Sequence, residues 1–455
     1  MPADVESTSQ SATPHLPEWP GRAEIERCEA RNLLLLATHQ IVFRIGWVFK
    51  TESVIMPAFV DLVAGPGWVR GCLPVLNRLG QSVPPVFAAA ALKALRYKKW
   101  ALAGCTVLMG VPFAVLAVVW LTVGHELQAS QAKTSWLAWL FLGLYFLFFV
   151  LYGLYLVSFG TVQGKLIRPT RRGHLLLVST FWGALPATLV AVWLMPGWLQ
   201  EHVSAWERVF ACVAVCFFAS GVIAQLLAEP GDRGAAGTEP KAGSLRDTFG
   251  ALSRDANLRQ LVLVVMLFAS GLIIFPHYQA LARQRLGLSG VHLVAWVVTQ
   301  NVAVAAYSLI VGPLADRRGN RLTMRLLIFA SAIPPAFATA LPYLPGGAGK
   351  HLFWLVYVPL GVTPLVLRTV SNYALEICPP ERHPRYLSTV SLGLAVPFLF
   401  SPLVGWLVDA VDFEVVFLSA VVLVCLSGWL TFRLDEPRYR LEEVRGESIA
   451  RGTEG

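Results

Sequence analysis

The stretch Gly312-Pro313-Leu314-Ala315-Asp316-Arg317-Arg318-Gly319-Asn320-Arg321 joins two apolar runs, near 291–313 and 322–344. Each run is long enough to cross a bilayer, because a helix rising about 1.5 Å per residue needs about 20 apolar residues to cover a hydrocarbon core of roughly 30 Å. Two such runs joined by a short loop rich in polar and small residues form a hairpin of membrane helices. Arg317, Arg318 and Arg321 in so short a loop hold it on the cytoplasmic side, since basic loops are retained there. The remaining residues fit a tight connection: Gly312 lets helices approach, Gly319 permits the turn, and Asp316 can pair with an arginine or cap a helix N-terminus.

Working outward, similar apolar runs recur near 33–63, 70–92, 100–123, 136–163, 174–196, 206–228, 258–282, 351–375, 386–409 and 413–433. The chain has 55% hydrophobic and 14% charged residues and a mean hydropathy of +0.58, against about 25% charged residues in a soluble domain. These features specify an all-α membrane protein of about 12 transmembrane helices, solvated by the lipid bilayer. The longest polar stretch falls between the sixth and seventh runs. It divides the chain into a tail at 1–32, a six-helix half at 33–228, a linker at 229–257, a second six-helix half at 258–433 and a tail at 434–455. Leu245 to Leu252 in the linker has the pattern of a short amphipathic surface helix. Prolines at Pro57, Pro84, Pro85 and Pro397 predict kinked or broken helices around a central cavity, where freed carbonyls can find partners.

Basic residues alternate with the spans, roughly 27 on the side of the termini against roughly 6 on the other, which predicts a multi-pass protein of the cell (inner) membrane with both termini and the linker cytoplasmic. The net charge of +9 is spread over these loops and forms no basic domain, so nucleic acid is not an expected partner. The N-terminal tail has no apolar core followed by a cleavage site and is read as retained. The seven cysteines are scattered, most of them in apolar runs, as packing residues; Cys212 and Cys216 share a helical face. No Walker loop, metal-ligand cluster or cofactor motif stands out, so the expectation is a non-enzyme without metal or cofactor.

The loop Gly312 to Arg321 resembles the G-x-x-x-D-R-x-G-x-[RK] loop of the major facilitator superfamily (MFS), and its place after an eighth span in a six-plus-six chain strengthens the likeness. The corresponding loop after the second span, Ala91-Leu92-Lys93-Ala94-Leu95-Arg96-Tyr97-Lys98-Lys99, keeps the charges without the Gly and Asp. That departure marks an atypical branch with a degenerate first loop. Basic, proline-containing loops follow the fourth span (Lys165 to Gly173) and the tenth (Glu376 to Arg385), consistent with two related halves. The resemblance implies the MFS fold and a secondary active permease working by alternating access on a small-molecule substrate, monomeric by default, with H⁺ or Na⁺ as candidate coupling ions. Gly312, Asp316, Arg317, Gly319 and Arg321 would then form a cytoplasmic latch. A transporter-like sensor or scaffold without net transport and a membrane enzyme on lipid-linked substrates are the alternatives.

Polar groups within the spans are costly and should face a path or a partner. At 100° per residue Gln40, Arg44, Trp47 and Thr51 form one stripe of the first span, flanked by Lys50 and Glu52. Those two could equally form a structural ion pair. Asn77 and Gln81 share a face of the second span, Gln300 and Asn301 lie in the eighth, and Arg368 and Asn372 share a face of the tenth. His277 is a candidate proton-coupling group, with a packing role as its rival. Tyr145, Phe148, Tyr152, Tyr155 and Phe159 form an aromatic stripe expected to serve helix packing. Arg44, Lys50, Arg78 and Arg368 outnumber the central acid Glu52, which points to an organic anion as cargo and to Arg44 as its bidentate partner; the rival is that carbonyls freed at the Pro57 and Pro84 breaks, with water, stabilise these cations and the cargo is neutral or amphipathic.

Overall fold

A computed structural model of the chain describes residues 22–84, 95–130, 135–199, 205–231, 252–288, 290–379 and 382–436. These residues are almost wholly helical. The N-terminal half holds α1 (Arg22–Phe49), α2 (Ile55–Val63), α3 (Gly67–Ser82), α4 (Lys98–Ser130), α5 (Ser135–Leu166), α6 (Pro169–Trp198) and α7 (Trp206–Gln225). The C-terminal half holds α8 (Ala256–Ile273), α9 (His277–Leu286), α10 (Val291–Arg318), α11 (Asn320–Ala330), α12 (Ile333–Ala340), α13 (Ala348–Leu352), α14 (Tyr357–Leu360), α15 (Thr363–Glu376), α16 (His383–Phe398), α17 (Ser401–Ala410) and α18 (Phe413–Leu430). Ten helices among the described residues, some of them kinked, are long and apolar enough to cross a membrane. Pro85 and the surface helix expected at Leu245 to Leu252, except for Leu252 itself, lie outside the described residues, as do most of both tails.

The bundle carries its apolar residues outward as well as inward. Trp193 is 81% exposed, Leu309 71% and Val422 66%. A water-soluble bundle could not tolerate so continuous an apolar exterior, whereas hydrocarbon accepts it at no cost.

Breaks in the helices explain why several spans are two elements. Proline at position i has no N–H and its ring collides with the carbonyl of residue i−4, so a helix stops one turn before it. Pro57 accounts for the non-helical elbow at 50–54 between α1 and α2, where the Thr51 carbonyl accepts from both Ile55 N (2.9 Å) and Met56 N (3.1 Å). Pro402 acts likewise on the turn between α16 and α17, which follows directly on Pro397. In the C-terminal half, α8 ends at Ile273 and α9 restarts after Pro276, so the first span of each half has an elbow. Other ends use caps: Asp255 accepts from Asn257 N and Leu258 N at the start of α8, and Gly287, at φ 68°, closes α9.

Within the N-terminal half α1 packs on α6 and α7, and α4 on α5 and α7; within the C-terminal half α8 packs on α16 and α18, and α11 on α15. The halves meet where α3 packs on α17, α6 on α10 and α2 on α9. The apolar cores show how unevenly they meet. One continuous core runs through the N-terminal half and on into the end of the C-terminal half away from the termini, including Ile274, Tyr278, Trp296, Tyr357 and Phe417. The other, including Leu258, Val265, Met324, Val370 and Val424, belongs to the C-terminal half alone and lies towards the termini.

Candidate functional site

A cavity of about 440 Å³ lies between the halves at mid-depth. From the N-terminal half it is lined by Arg44, Trp47, Thr51, Glu52 and Ser53 of the first span, Asn77, Arg78 and Gln81 of α3, and Tyr145, Phe149 and Tyr152 of α5. The C-terminal half supplies Phe275, Pro276, Gln300, Asn301, Thr363, Pro364, Leu367 and Phe398. Helical spacing on α1, α3 and α5 puts these side chains on one face of each helix, and the elbow at 50–54 turns Glu52 and Ser53 into the same space.

Cations and the single lining carboxylate are arranged unequally. Glu52 is engaged on both oxygens: Lys50 Nζ is 2.7 Å from Oε1, and the Asn77 amide donates to Oε2 while Gln81 donates to Asn77. Lys50 itself is fully buried behind the wall, its ammonium 3.4 Å from the Trp47 ring centroid and within 5 Å of Phe148 and Phe149. The pair is therefore neutral and self-satisfied. Arg44 donates from Nη2 to Asn301 Oδ1 of the other half at 3.1 Å, while its buried Nε has no hydrogen-bond partner. Arg78 has the same orphaned Nε and sits over Phe398. Among the described residues none of Arg44, Arg78 and Arg368 has a carboxylate partner. Ser53 donates to Gln300 Oε1 at 2.6 Å, a second polar bridge between the halves.

Of the residues singled out in the sequence, Arg44, Trp47, Thr51, Glu52, Asn77, Gln81, Gln300 and Asn301 come together in the cavity wall. Gln40 turns away to the Tyr155 hydroxyl at 2.5 Å. Arg368 and Asn372 are exposed on α15 below Leu367. The aromatic stripe divides, Tyr145 and Tyr152 lining the cavity while Tyr155 and Phe159 stack on His39 of α1. At the loop after α10, Gly319 adopts φ 88°, the Asn320 amide donates to Glu376 Oε1 at 2.7 Å, and Arg321 reaches Leu434 O at 2.7 Å and Glu436 at 3.2 Å. These ties bind the loop to the ends of α15 and α18 within the C-terminal half.

His277 lies outside the cavity, in a cluster that the sequence reading did not assemble. Asp61 of α2 and Arg70 of α3 are both fully buried and ion-paired. Asp61 also accepts from Gln279 Nε2 at 2.5 Å and pairs with Arg283 at 3.0 Å, both on α9 of the opposite half. Arg70 Nε donates to His277 Nδ1 at 3.1 Å, and Asp409 of α17 accepts from Gly67 N at 2.5 Å. Here the backbones touch: a Cβ on Gly67 would lie 2.4 Å from Gly405 O, and one on Gly405 2.2 Å from Gly67 O. This cluster closes the end of the cavity away from the termini. Towards the termini, the ion pairs of Glu29 with Arg168, Glu229 with Lys165 and Arg321 with Glu436 each stay within one half.

Residues 290–452 match the family model of the Major Facilitator Superfamily. Sequence comparison with curated proteins gives no match. Solved structures with a similar fold include the nucleoside transporter NupG, with a TM-score of 0.65 and 14% identity over 90% of this chain and 100% of that one. A bacterial homologue of the human lysosomal transporter Spinster, inward-facing and unoccupied, aligns with a TM-score of 0.62 and 14% identity over 91% of this chain and 98% of that one. A bacterial homologue of the iron transporter ferroportin, inward-facing, gives 0.61 and 14% over 89% and 98%.

Proposed function

We propose that this chain, which has the major facilitator fold along its length and that family's sequence pattern over residues 290–452, is a secondary transporter moving a small organic anion by alternating access. The carrying observation is the cavity between two halves that, among the described residues, share an apolar core and an ion pair from the buried Asp61 to Arg283 at the end away from the termini. Such a contact can be exchanged for one at the other end without unfolding either half. With the termini cytoplasmic, as the basic loops suggest, the cluster of Asp61, Arg70 and Arg283 is an outer gate and the conformation is inward-facing.

The anion follows from the lining. A buried guanidinium with an unused N–H and no carboxylate is an incomplete ion pair, and a carboxylate or phosphate can complete it with two parallel bonds. Trp47, Tyr145, Phe149 and Tyr152 offer flat apolar surface for the rest of the solute. The test is a thermal-shift titration of purified protein with carboxylates and phosphomonoesters against neutral and cationic compounds. Saturable stabilisation by anions is expected, with affinity reduced about tenfold or more in Arg44→Lys, which keeps the charge and loses the fork. Stabilisation by neutral or cationic compounds alone, or unchanged affinity in Arg44→Lys, would overturn the reading.

A further inference from the structure

We infer that this protein is an exchanger: the empty carrier is held in the conformation seen here by unpaired arginines on both halves, and only an anion bound between them lets it turn over. The inference rests on the anion reading and adds the mode of transport.

Closing the cavity towards the termini must bring the inner face of α15 towards α1 and α3. Arg44 and Arg78 are on the N-terminal side, already buried enough to leave each Nε without a partner. Arg368 is on the C-terminal side, at i+4 from the lining Pro364 and next to the lining Leu367, which places it on the cavity face of α15. In the present arrangement Arg368 is exposed on the face of α15 that carries the lining Pro364 and Leu367, where water in the open cavity screens it. Occlusion would strip that solvent away and leave three like charges in a low-dielectric space, a state penalised far beyond the cost of the open one. The lining carboxylate gives no relief, because Glu52 is held by Lys50, Asn77 and Gln81. An anion placed between Arg44 and Arg368 converts the repulsion into attraction between the halves. Return without cargo then meets the full penalty, whereas return with a second anion does not.

The deciding experiment uses full-length protein carrying Val304→Cys, a cavity position on α10 with no polar role. Right-side-out vesicles in a chloride medium without organic anions are treated with a membrane-impermeant maleimide, and labelling above that of the parent is followed. Slow outside labelling is expected, rising about tenfold or more when Arg44→Gln and Arg368→Gln are added. Equal rates in the two proteins would overturn the inference. Inside-out vesicles, where both should label quickly, report that the variant remains folded. As a second arm, benzoate and inorganic phosphate serve as probes. For either that binds, uptake into liposomes loaded with the same anion should exceed uptake into empty ones about tenfold, and equal uptake overturns exchange. If neither these nor the anions of the thermal-shift series bind, the anion reading fails, and the labelling rates still decide whether the arginines hold the empty carrier.

Discussion

Gly67 and Gly405 show how much a single hydrogen can decide. Each lies against the other's carbonyl oxygen, so no side chain fits between α3 and α17 while this end of the cavity is closed. Gly67→Val would push the helices apart by more than their packing tolerates, and the state it excludes is the one in which they touch. In the Val304→Cys background the expected outcome is increased maleimide labelling from outside, with protein level in the membrane preserved because other states do not need this contact. Labelling that stays at the parent rate would mean the close approach is not part of the gate. Neither glycine is conspicuous in sequence, since the partners stand 338 positions apart and glycine occurs 37 times. Arg44 and Trp47 were legible as neighbours because helical geometry alone places them on one face of α1, whereas Thr51 reaches the same wall from the elbow. Gln40 left that face for a reason no periodicity contains, the hydroxyl of Tyr155 on another helix.

At the scale of elements, the broken first span does most to shape the site. Without the elbow at 50–54, Glu52 and Ser53 would lie 100° apart on a regular helix, and α2 would not turn Asp61 towards α9. Prolines made the breaks foreseeable, but the partners of Asp61 were not, because Gln279 and Arg283 come from the other half, 218 and more positions away. Asp61 is the common acceptor of Arg70 and Arg283, so Asp61→Asn leaves the fully buried Arg70 guanidinium with only the more distant carboxylate of Asp409, 3.9 Å away across the halves, while the gate is closed. Removing one member of a buried pair costs about 3–5 kcal/mol. Part of that cost is regained when the gate opens and water reaches Arg70. The expected result is a shift of the resting population towards the outward-open form, measured as faster outside labelling at Val304→Cys and slower inside labelling. A uniform loss of stability with no change in the ratio of the two rates would assign the cluster to folding and not to gating.

For the whole molecule, sidedness turns geometry into direction. The all-helical, multi-pass architecture was readable, because bilayer thickness fixes the length of the apolar runs. Which end the halves share was not readable, since it depends on contacts between distant helices. The two facts meet in one test. If the termini are cytoplasmic, the end held shut by Asp61, Arg70 and Arg283 faces outward and the cavity would fill from the cytoplasm; if they are external, every directional statement reverses while the fold is unchanged. Reporters fused before Met1, near Gly237 in the linker and after Gly455 should all read cytoplasmic, because loops rich in arginine and lysine recur after each even-numbered span and resist translocation. Arg317, Arg318 and Arg321 make the loop after α10 one of these anchors, so replacing all three with Gln should move part of the population towards the other orientation. External readout at all three fusions would make the gate cytoplasmic, and external readout at only one would break the division into two equal sixes.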